Sequence, residues 1–253
     1  MLLTIIVRPA FTADLQRGTE AYQKALFSTA LKEWLPLAEA GDIQAQYLIG
    51  HMYENGQGVE RDDITAIKWY TRAAEQGHAL SQNTLGVIYG NGDIVAQDKK
   101  AAIKWYRLAA EQGEASAQYN LGIIYTNGDG LPQDYDAARQ WYTRAAEQGN
   151  AEAQFNLAML YANGNGVAQD YSAALEWYTR AAELNHGNAQ NNLGLMYAKG
   201  QGMPRDYIRA YMYFNLSAFN GNNKAAGNRD LIAPLMTPAQ IEAAQFLTIR
   251  AIK

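Results

Sequence analysis

Apolar positions recur along most of the chain with the period of an amphipathic helix. In the stretch 113–148, apolar residues three and four positions apart predict a first helix, helix A, with one buried face: Ala117, Leu121, Ile124 and Tyr125. A second stripe predicts helix B: Ala137, Ala138, Trp141, Tyr142, Ala145 and Ala146. Gly128 and Gly130 between the stripes suit a helix C-cap and a tight turn, and Asp134 is placed to N-cap helix B. The pattern therefore predicts a helix-turn-helix unit.

This unit is repeated along the chain at a spacing of 36 residues. The spacing relates four tryptophans and also a tyrosine column, an aspartate column and pairs of alanines: Trp69, Trp105, Trp141 and Trp177; Tyr53, Tyr89, Tyr125, Tyr161 and Tyr197; Asp62, Asp98, Asp134, Asp170 and Asp206; Ala73-Ala74, Ala109-Ala110, Ala145-Ala146 and Ala181-Ala182. A single unit leaves an apolar face bare, so neighbouring units must stack.

The repeats predict an all-α fold, a right-handed α-α superhelical solenoid of about five full 36-residue helix-turn-helix repeats with capping helices at both ends. We expect an apolar leader at 1–13, a partial repeat at 14–40, five repeats at 41–220 and a C-terminal cap at 221–253. Gly122 and the alanine pairs are expected to let helices approach closely, with Trp141 and the tyrosines filling the core.

The repeated residues resemble the Sel-one-like repeat, a relative of the tetratricopeptide repeat with a longer unit. The segments that carry the resemblance are Ala117-Gln118-Tyr119-Asn120-Leu121-Gly122-Ile123-Ile124-Tyr125, Gly128-Asp129-Gly130, Gln133-Asp134-Tyr135, Ala137-Ala138, Trp141-Tyr142 and Ala145-Ala146-Glu147-Gln148-Gly149. The resemblance covers roughly residues 20–250, and the segment from Asn228 to Ile241 is similar to the terminal cap of bacterial members. It implies that helix A lines a concave face and that the protein acts as an adaptor.

Two turn positions depart from the repeat, in addition to Tyr213-Phe214, which replaces Trp-Tyr in the last unit. Ile94 stands where other units have glycine, so we expect a different turn there, and Asn185 replaces a unit-opening glycine because asparagine tolerates the left-handed conformation.

Composition bears on which partners and which kinds of site the chain can have. With 25 acidic and 21 basic residues the formal net charge is −4, and no long basic run favours nucleic acid as a partner. The absence of cysteine excludes disulfides and zinc-thiolate sites.

No residue pattern indicates catalysis, a metal site or a cofactor. The histidines are His51, His78 and His186, which are scattered and are interpreted as ordinary polar surface. The aspartate column is explained by N-capping. A glutamate column at the end of helix B suggests only an inter-repeat hydrogen bond: Glu75, Glu111, Glu147 and Glu183. We interpret the tryptophan and tyrosine columns of helix B as core.

Residues that vary within a column are the candidates for partner binding, because packing demands uniformity and a partner does not. We predict that the concave face includes Tyr47, His51, Asn55, Asn83, Asn91, Tyr119, Ile123, Asn127, Phe155, Met159, Asn163 and Asn191. The aromatic members favour binding most. The alternative is that the apolar column Val87, Ile123, Met159 and Leu195 packs between helices and that the asparagines cap helix A.

Three functions remain open from the sequence. The leading one is a non-catalytic protein-protein interaction scaffold that binds a partner protein or extended peptide in its concave groove. The second, which only the family resemblance implies, is a cell-wall-associated module that binds peptidoglycan or a β-lactam, or an enzyme regulator. A glycan-cleaving site needs two carboxyl groups roughly 5 to 9.5 Å apart, with Glu54 and Glu152 as candidates. The third is a structural spacer.

The ends of the chain bear on compartment and assembly. Residues 1–13 either pack on the first helices or are the remnant of a signal peptide, so the protein is periplasmic or secreted in the second case and cytoplasmic in the first. No segment is predicted to span a membrane. Thr237 and Pro238 are placed to start a capping helix, and we expect a monomer.

Overall fold

The computed structural model describes residues 14–252, so the predicted leader at 1–13 lies outside the described part. All regular structure of these residues is helical, which confirms the predicted all-α repeat architecture. The helices are α1 Leu15–Gln23, α2 Phe27–Glu39, α3 Ile43–Asn55, α4 Asp63–Glu75, α5 Ala79–Asn91, α6 Lys99–Glu111, α7 Ala115–Asn127, α8 Tyr135–Glu147, α9 Ala151–Asn163, α10 Tyr171–Glu183, α11 Gly187–Lys199, α12 Tyr207–Phe219, α13 Asn223–Ile232 and α14 Pro238–Ile252.

The chain forms two compact units, the first ending at Gln112 and the second beginning at Gly113. The first unit contains α1–α6 and the second contains α7–α14. Within each unit, helix A of a repeat packs on helix B of the same repeat, and helix B packs on the next helix A. Helices A are α3, α5, α7, α9 and α11, and helices B are α4, α6, α8, α10 and α12.

Side chains and glycines fix where the helices begin and end. The Asp134 carboxylate accepts a hydrogen bond from the backbone N–H of Ala137 at 3.0 Å, and all five members of the aspartate column cap a helix B in this way. The backbone N–H of Asp134 also donates to the carbonyl of Tyr125, at 2.9 Å. Every helix A ends at a glycine with positive φ, such as Gly128 at 73°. Both capping predictions are confirmed.

Small residues on helix A let the rings of helix B approach closely. A Cβ added to Gly86 would lie 2.6 Å from the ring of Tyr106, and one added to Gly50 would lie 2.8 Å from Tyr70. The same contact joins Gly122 to Tyr142, so the predicted role of this glycine is confirmed. Tyr70, Tyr106, Tyr142, Tyr178 and Phe214 fill the buried side of helices B.

The tryptophan column is less buried than predicted. Trp69 is buried, whereas Trp105, Trp141 and Trp177 are half-buried. Trp105 and Trp177 still pack against the core, so this column lies at the border of the core. A basic side chain lies over each of the three half-buried rings. The Arg144 and Arg180 guanidiniums lie 4.6 and 4.5 Å from the ring centroids of Trp141 and Trp177.

Glutamines, rather than the predicted glutamates, link the ends of the helices. Glu75, Glu111, Glu147 and Glu183 are all exposed. The adjoining Gln76 donates to Oε1 of buried Gln46 at 2.7 Å, and Gln46 donates in turn to the carbonyl of Ala38 at 3.1 Å. The same side-chain bond joins Gln112 to Gln82 and Gln148 to Gln118. In these three repeats the glutamine on helix A thus links its own helix B to the rest of the repeat.

The backbone at the two turn positions that depart from the repeat, Asn185 and Ile94, agrees with the sequence predictions. Asn185 takes φ 62°, so its predicted left-handed conformation is confirmed. Ile94 is absent from the positive-φ residues of the described part, whereas the glycines at the matching turn positions, including Gly58 and Gly130, have φ 73° and 79°. The turn at Ile94 therefore has the different shape that the sequence predicts.

Helix pairs also lie at both ends of the described part. The segment predicted as a partial repeat contains α1 and α2, where the indole N–H of buried Trp34 donates to the carbonyl of Leu15 at 3.1 Å. In the C-terminal segment α14 packs on α12 and buries Ala244, while the Asn215 amide donates to the Thr248 hydroxyl at 3.4 Å. In residues 14–252 the helices are all too short or too polar to cross a membrane.

Candidate partner-binding face

Each helix A has one face that helices B cover only in part. We call it the helix A face and define it by the second, fifth, sixth, ninth and thirteenth residues of each helix A, which lie on one side because of the 3.6-residue helical period. In the first unit the face belongs to α3 and α5, and in the second to α7, α9 and α11. It contains every residue predicted from the sequence to bind a partner.

The fifth residues include the three predicted aromatic anchors, and all three are half-buried. The ring centroids of Tyr47, Tyr119 and Phe155 lie 5.8, 6.1 and 5.8 Å from those of the helix B tyrosines Tyr70, Tyr142 and Tyr178, respectively. Tyr47 and Phe155 also contact the rings of His78 and His186, at 4.8 and 4.7 Å. These anchors therefore contribute to packing, and only part of each ring is open to a partner. Asn83 takes the same place on α5 and is also half-buried.

The ninth residues differ in every repeat. Met159 is 36% exposed, and Val87 is similarly open. Ile123 is half-buried against the core of the second unit. His51 is half-buried, with Nδ1 3.4 Å from the Tyr22 hydroxyl. Met159 is thus the most accessible apolar side chain of this column in the second unit.

Four of the five thirteenth residues, all except Lys199, are exposed amides at the end of helix A: Asn55, Asn91, Asn127 and Asn163. Each directly precedes the left-handed glycine that ends the helix. The Asn55 side-chain nitrogen donates to the carbonyl of His51 at 2.9 Å. This bond does not use the side-chain oxygen of Asn55. These side chains combine a local helix-end contact with an accessible polar surface.

Asn191, the last predicted member, lies beneath the C-terminal segment. It is buried, and its Oδ1 accepts a hydrogen bond from the Asn228 amide at 2.8 Å. The interaction that the sequence predicts with a partner is therefore made within the chain, by α13.

The asparagines at the sixth positions of helix A were not predicted from the sequence as functional residues. Asn156 hydrogen-bonds with the hydroxyls of Tyr119 and Tyr142, and the Asn192 amide donates to the hydroxyl of Tyr178 at 2.9 Å. Burial raises the pKa of both Tyr142 and Tyr178 to about 12, so their hydroxyls stay protonated. The recurrence of Asn120, Asn156 and Asn192 at the 36-residue spacing was the signal that could have found them.

A cavity of about 260 Å³ opens beside Asn192 in the second unit. It is lined by amide, hydroxyl, amine and apolar groups: Ala162, Asn163, Gln169, Tyr171, Tyr178, Asn192, Leu195, Met196, Lys199 and Gln201. We call it the α9–α11 cavity. Two of its amides are oriented by internal bonds, since Gln169 donates to the carbonyl of Ala162 at 2.8 Å and Gln201 donates to the Tyr171 hydroxyl at 3.0 Å.

Two histidines have a structural role that was not predicted from the sequence. His186 Nδ1 accepts the backbone N–H of Ala189 at 3.1 Å, so the imidazole N-caps α11, and its side chain is only 8% exposed. His78 caps α5 through Ser81 in the same way, and burial lowers its pKa. The interpretation of these histidines as ordinary polar surface is wrong, because the repeat needs a hydrogen-bond acceptor at this position.

The two glutamates considered as catalytic carboxyl groups, Glu54 and Glu152, contact a tyrosine and a histidine. Glu54 accepts a hydrogen bond from the Tyr70 hydroxyl at 2.6 Å, and this contact, after burial, raises the pKa of Tyr70 above its ordinary value. Glu152 Oε1 lies 3.2 Å from His186 Nε2. Among residues 14–252, no cluster of three or more histidines and acidic residues is arranged to hold a metal ion.

Comparisons with known proteins agree with this architecture. The Sel1 repeat pattern, which is the Sel-one-like repeat, matches residues 43–78, 79–114, 115–150, 151–186 and 187–222. A Sel1 repeat protein from Oxalobacter formigenes is 35% identical, with a TM-score of 0.81 over 95% of this chain and 97% of that one. A comparison with curated protein sequences found no match.

Two further solved structures share the fold. The protein c5321, a protective antigen present in uropathogenic Escherichia coli strains, is 29% identical, with a TM-score of 0.61 over 94% of this chain and 60% of that one. A Sel1 repeat protein from Klebsiella pneumoniae is 24% identical, with a TM-score of 0.50 over 79% of this chain and 98% of that one. Proteins built from Sel1 repeats are generally non-catalytic scaffolds for protein interactions. With five such repeats, the chain belongs to the Sel1 repeat family.

Proposed function

We propose that the chain is a non-catalytic adaptor that binds an extended segment of a partner protein on the helix A face, with the α9–α11 cavity as its principal contact. The observation that carries the proposal is the cavity itself. It opens where Asn163 of the exposed amide column meets Asn192 and Lys199 of the next helix A.

The size and lining of the cavity favour a protein segment over a small metabolite. Sites for drug-sized ligands commonly enclose about 300 to 1,000 Å³ and are mostly apolar. A volume of about 260 Å³ with four amide side chains in its wall suits one polar side chain of a longer ligand. An amide both donates and accepts hydrogen bonds, so it also satisfies the peptide groups of an extended chain.

Neighbouring residues extend this contact along the second unit. Met159 supplies an exposed apolar side chain whose three rotatable bonds allow it to adapt to different partner residues. Asn127 offers a further exposed amide, and the half-buried rings of Tyr119 and Phe155 provide firm edges. A polar cavity flanked by an adaptable apolar residue is the arrangement expected of a peptide-binding surface.

The first unit has its own version of the face, formed by α3 and α5. It combines Tyr47, His51 and Asn55 on α3 with Asn83 and Asn91 on α5. We propose that these residues form a separate contact surface, whose anchor is the edge of the Tyr47 ring.

Photo-crosslinking from one exposed position tests the proposal directly. A photoreactive residue replaces Asn163 in one protein and Glu147 at the exposed end of a helix B in another, and each is incubated with extracts of the source cell. We expect Asn163 to crosslink to a discrete partner peptide and Glu147 to give no such product. Met159→Glu combined with Asn163→Arg should remove the product by placing charges and bulk in the site.

The matched control is the double variant Glu147→Arg, Glu183→Arg, which changes two exposed side chains on helices B. Circular dichroism establishes that both double variants keep their helices. A partner that crosslinks from position 147 contradicts the proposal. So does a crosslinked product that persists in the Met159→Glu, Asn163→Arg variant and is lost in the Glu147→Arg, Glu183→Arg variant. Either result would assign binding to helices B.

A further inference from the structure

The last helix, α14, has an exposed apolar face opposite the side that packs on α12. The packed side contains Ala244 and Thr248, which are buried, and Ile241. On the opposite side Phe246 is 59% exposed and Ile249 is 56% exposed. Exposed apolar side chains that lie together on one helix face mark a candidate contact surface.

Charged residues frame the exposed phenylalanine symmetrically along the helix. Glu242 lies four residues before Phe246 and Arg250 four residues after it, so the three side chains form one row along the surface of α14. All three are exposed, and the Arg250 guanidinium lies 5.9 Å from the centroid of the Phe246 ring. Ala239 and Ala243 lie beside this row and are exposed as well. We call these residues, with Ile249, the outer face of α14.

We infer that the outer face of α14 pairs with the same face of a second copy of the chain, in an antiparallel arrangement about a two-fold axis at Phe246. The charge order selects this occupant. Four residues correspond to about 6 Å along a helix, so two antiparallel copies centred on Phe246 bring Glu242 of each opposite Arg250 of the other. A parallel pair would place like charges opposite each other.

The remaining residues of the face fit the same arrangement. The small side chains of Ala239 and Ala243 let the two helices approach, and the two phenylalanines meet at the centre with Ile249 beside them. The charged pairs lie at the rim, where they set direction and register more than affinity. The sequence predicted a monomer because α14 was expected to act as a cap. The apolar outer face of α14 is instead suited to a contact with a second copy.

Charge reversal tests both the occupant and its orientation. The full chain is examined by sedimentation velocity at low ionic strength, over a range of about 1 to 200 µM, where screening is weak and mass action shows the dimer. We expect a concentration-dependent dimer. Glu242→Arg and Arg250→Glu should each weaken it by about tenfold, because each places two like-charge pairs across the axis. The double variant restores both pairs and should return to within about threefold of the native dimer.

Phe246→Glu is a separate check on the centre of the face and should weaken the dimer by about a hundredfold. Because these positions are exposed, all variants should keep the helical circular dichroism of the native protein, which the measurement includes. A native chain that stays monomeric throughout the range overturns the inference. A dimer whose affinity is unchanged by Phe246→Glu overturns it as well, because the contact then lies elsewhere. The same holds if the folded double variant dimerises no better than the single variants.

Discussion

One buried acceptor in the second unit lacks a hydrogen bond that the other repeats possess, and restoring it should stabilise the protein. Gln154 is buried and donates to the carbonyl of Ala146 at 3.0 Å, but its Oε1 has no partner among the described residues. In the preceding repeat Gln148 supplies the matching bond, to Gln118 Oε1 at 2.8 Å. At the equivalent position the chain has Leu184, which is 52% exposed.

We therefore predict that Leu184→Gln raises the free energy of unfolding by about 1 kcal/mol. An unmet buried acceptor costs roughly 1–3 kcal/mol, whereas the partial burial lost with the leucine side chain is worth about 0.5 kcal/mol. The backbone is already suitable, because Leu184 has φ −87° and ψ 16° and Gln148 has φ −84° and ψ 4°. The new amide then reaches Gln154 as Gln148 reaches Gln118.

Urea unfolding followed by circular dichroism measures the change, and hydrogen exchange of α9 and α10 locates it. The inverse variant Gln148→Leu is the control, and it should lower stability by about 1 kcal/mol through loss of its bond to Gln118. If Leu184→Gln leaves the midpoint unchanged or lowers it while Gln148→Leu is destabilising, the missing bond at Gln154 has no energetic cost and the reasoning fails.

Three further changes test the caps and turns of the repeats. Ala25 has φ 57°, so Ala25→Gly should stabilise by about 0.5–1 kcal/mol in thermal unfolding, and a loss would contradict strain at this residue. Asp134→Ala should destabilise by about 1 kcal/mol in the same assay, with Asp134→Asn close to native; equal losses would mean that charge and not capping matters. Burial lowers the folded pKa of His78, so the unfolded chain binds more protons and stability should fall as pH drops below about 6.5. His78→Asn, which copies the natural cap Asn150, should reduce that pH dependence in urea titrations, and an unchanged profile would assign it to other groups.

The sequence predicted the helices because helix period, capping residue and terminal glycine agreed in every repeat. Asp134 and Gly128 each have one strong local role, and the structure places both as their chemistry requires. The candidate face was harder to predict. A ring such as Phe155 sits at a position that is half covered, so its identity alone does not separate packing from binding. The cover over Asn191 comes from α13, which lies outside the repeat and has no counterpart in its spacing.

Polar residues at buried positions explain the remaining differences. The histidine cap at His186 was not recognised because three other units use aspartate, glutamate and asparagine there, and only the shared need for an acceptor relates them. The glutamine bonds were not predicted, because glutamine is mostly an exposed residue and Gln46 and Gln118 are buried. A residue that recurs in every repeat thus shows what the fold requires, and a break in the column, as at Leu184, shows where this chain gives up one of those bonds. The positions to examine for a partner are those where the column changes and the side chain is still exposed. On the helix A face of the second unit, Met159 and Lys199 meet both conditions, as do the second residues Ser116, Glu152 and Asn188.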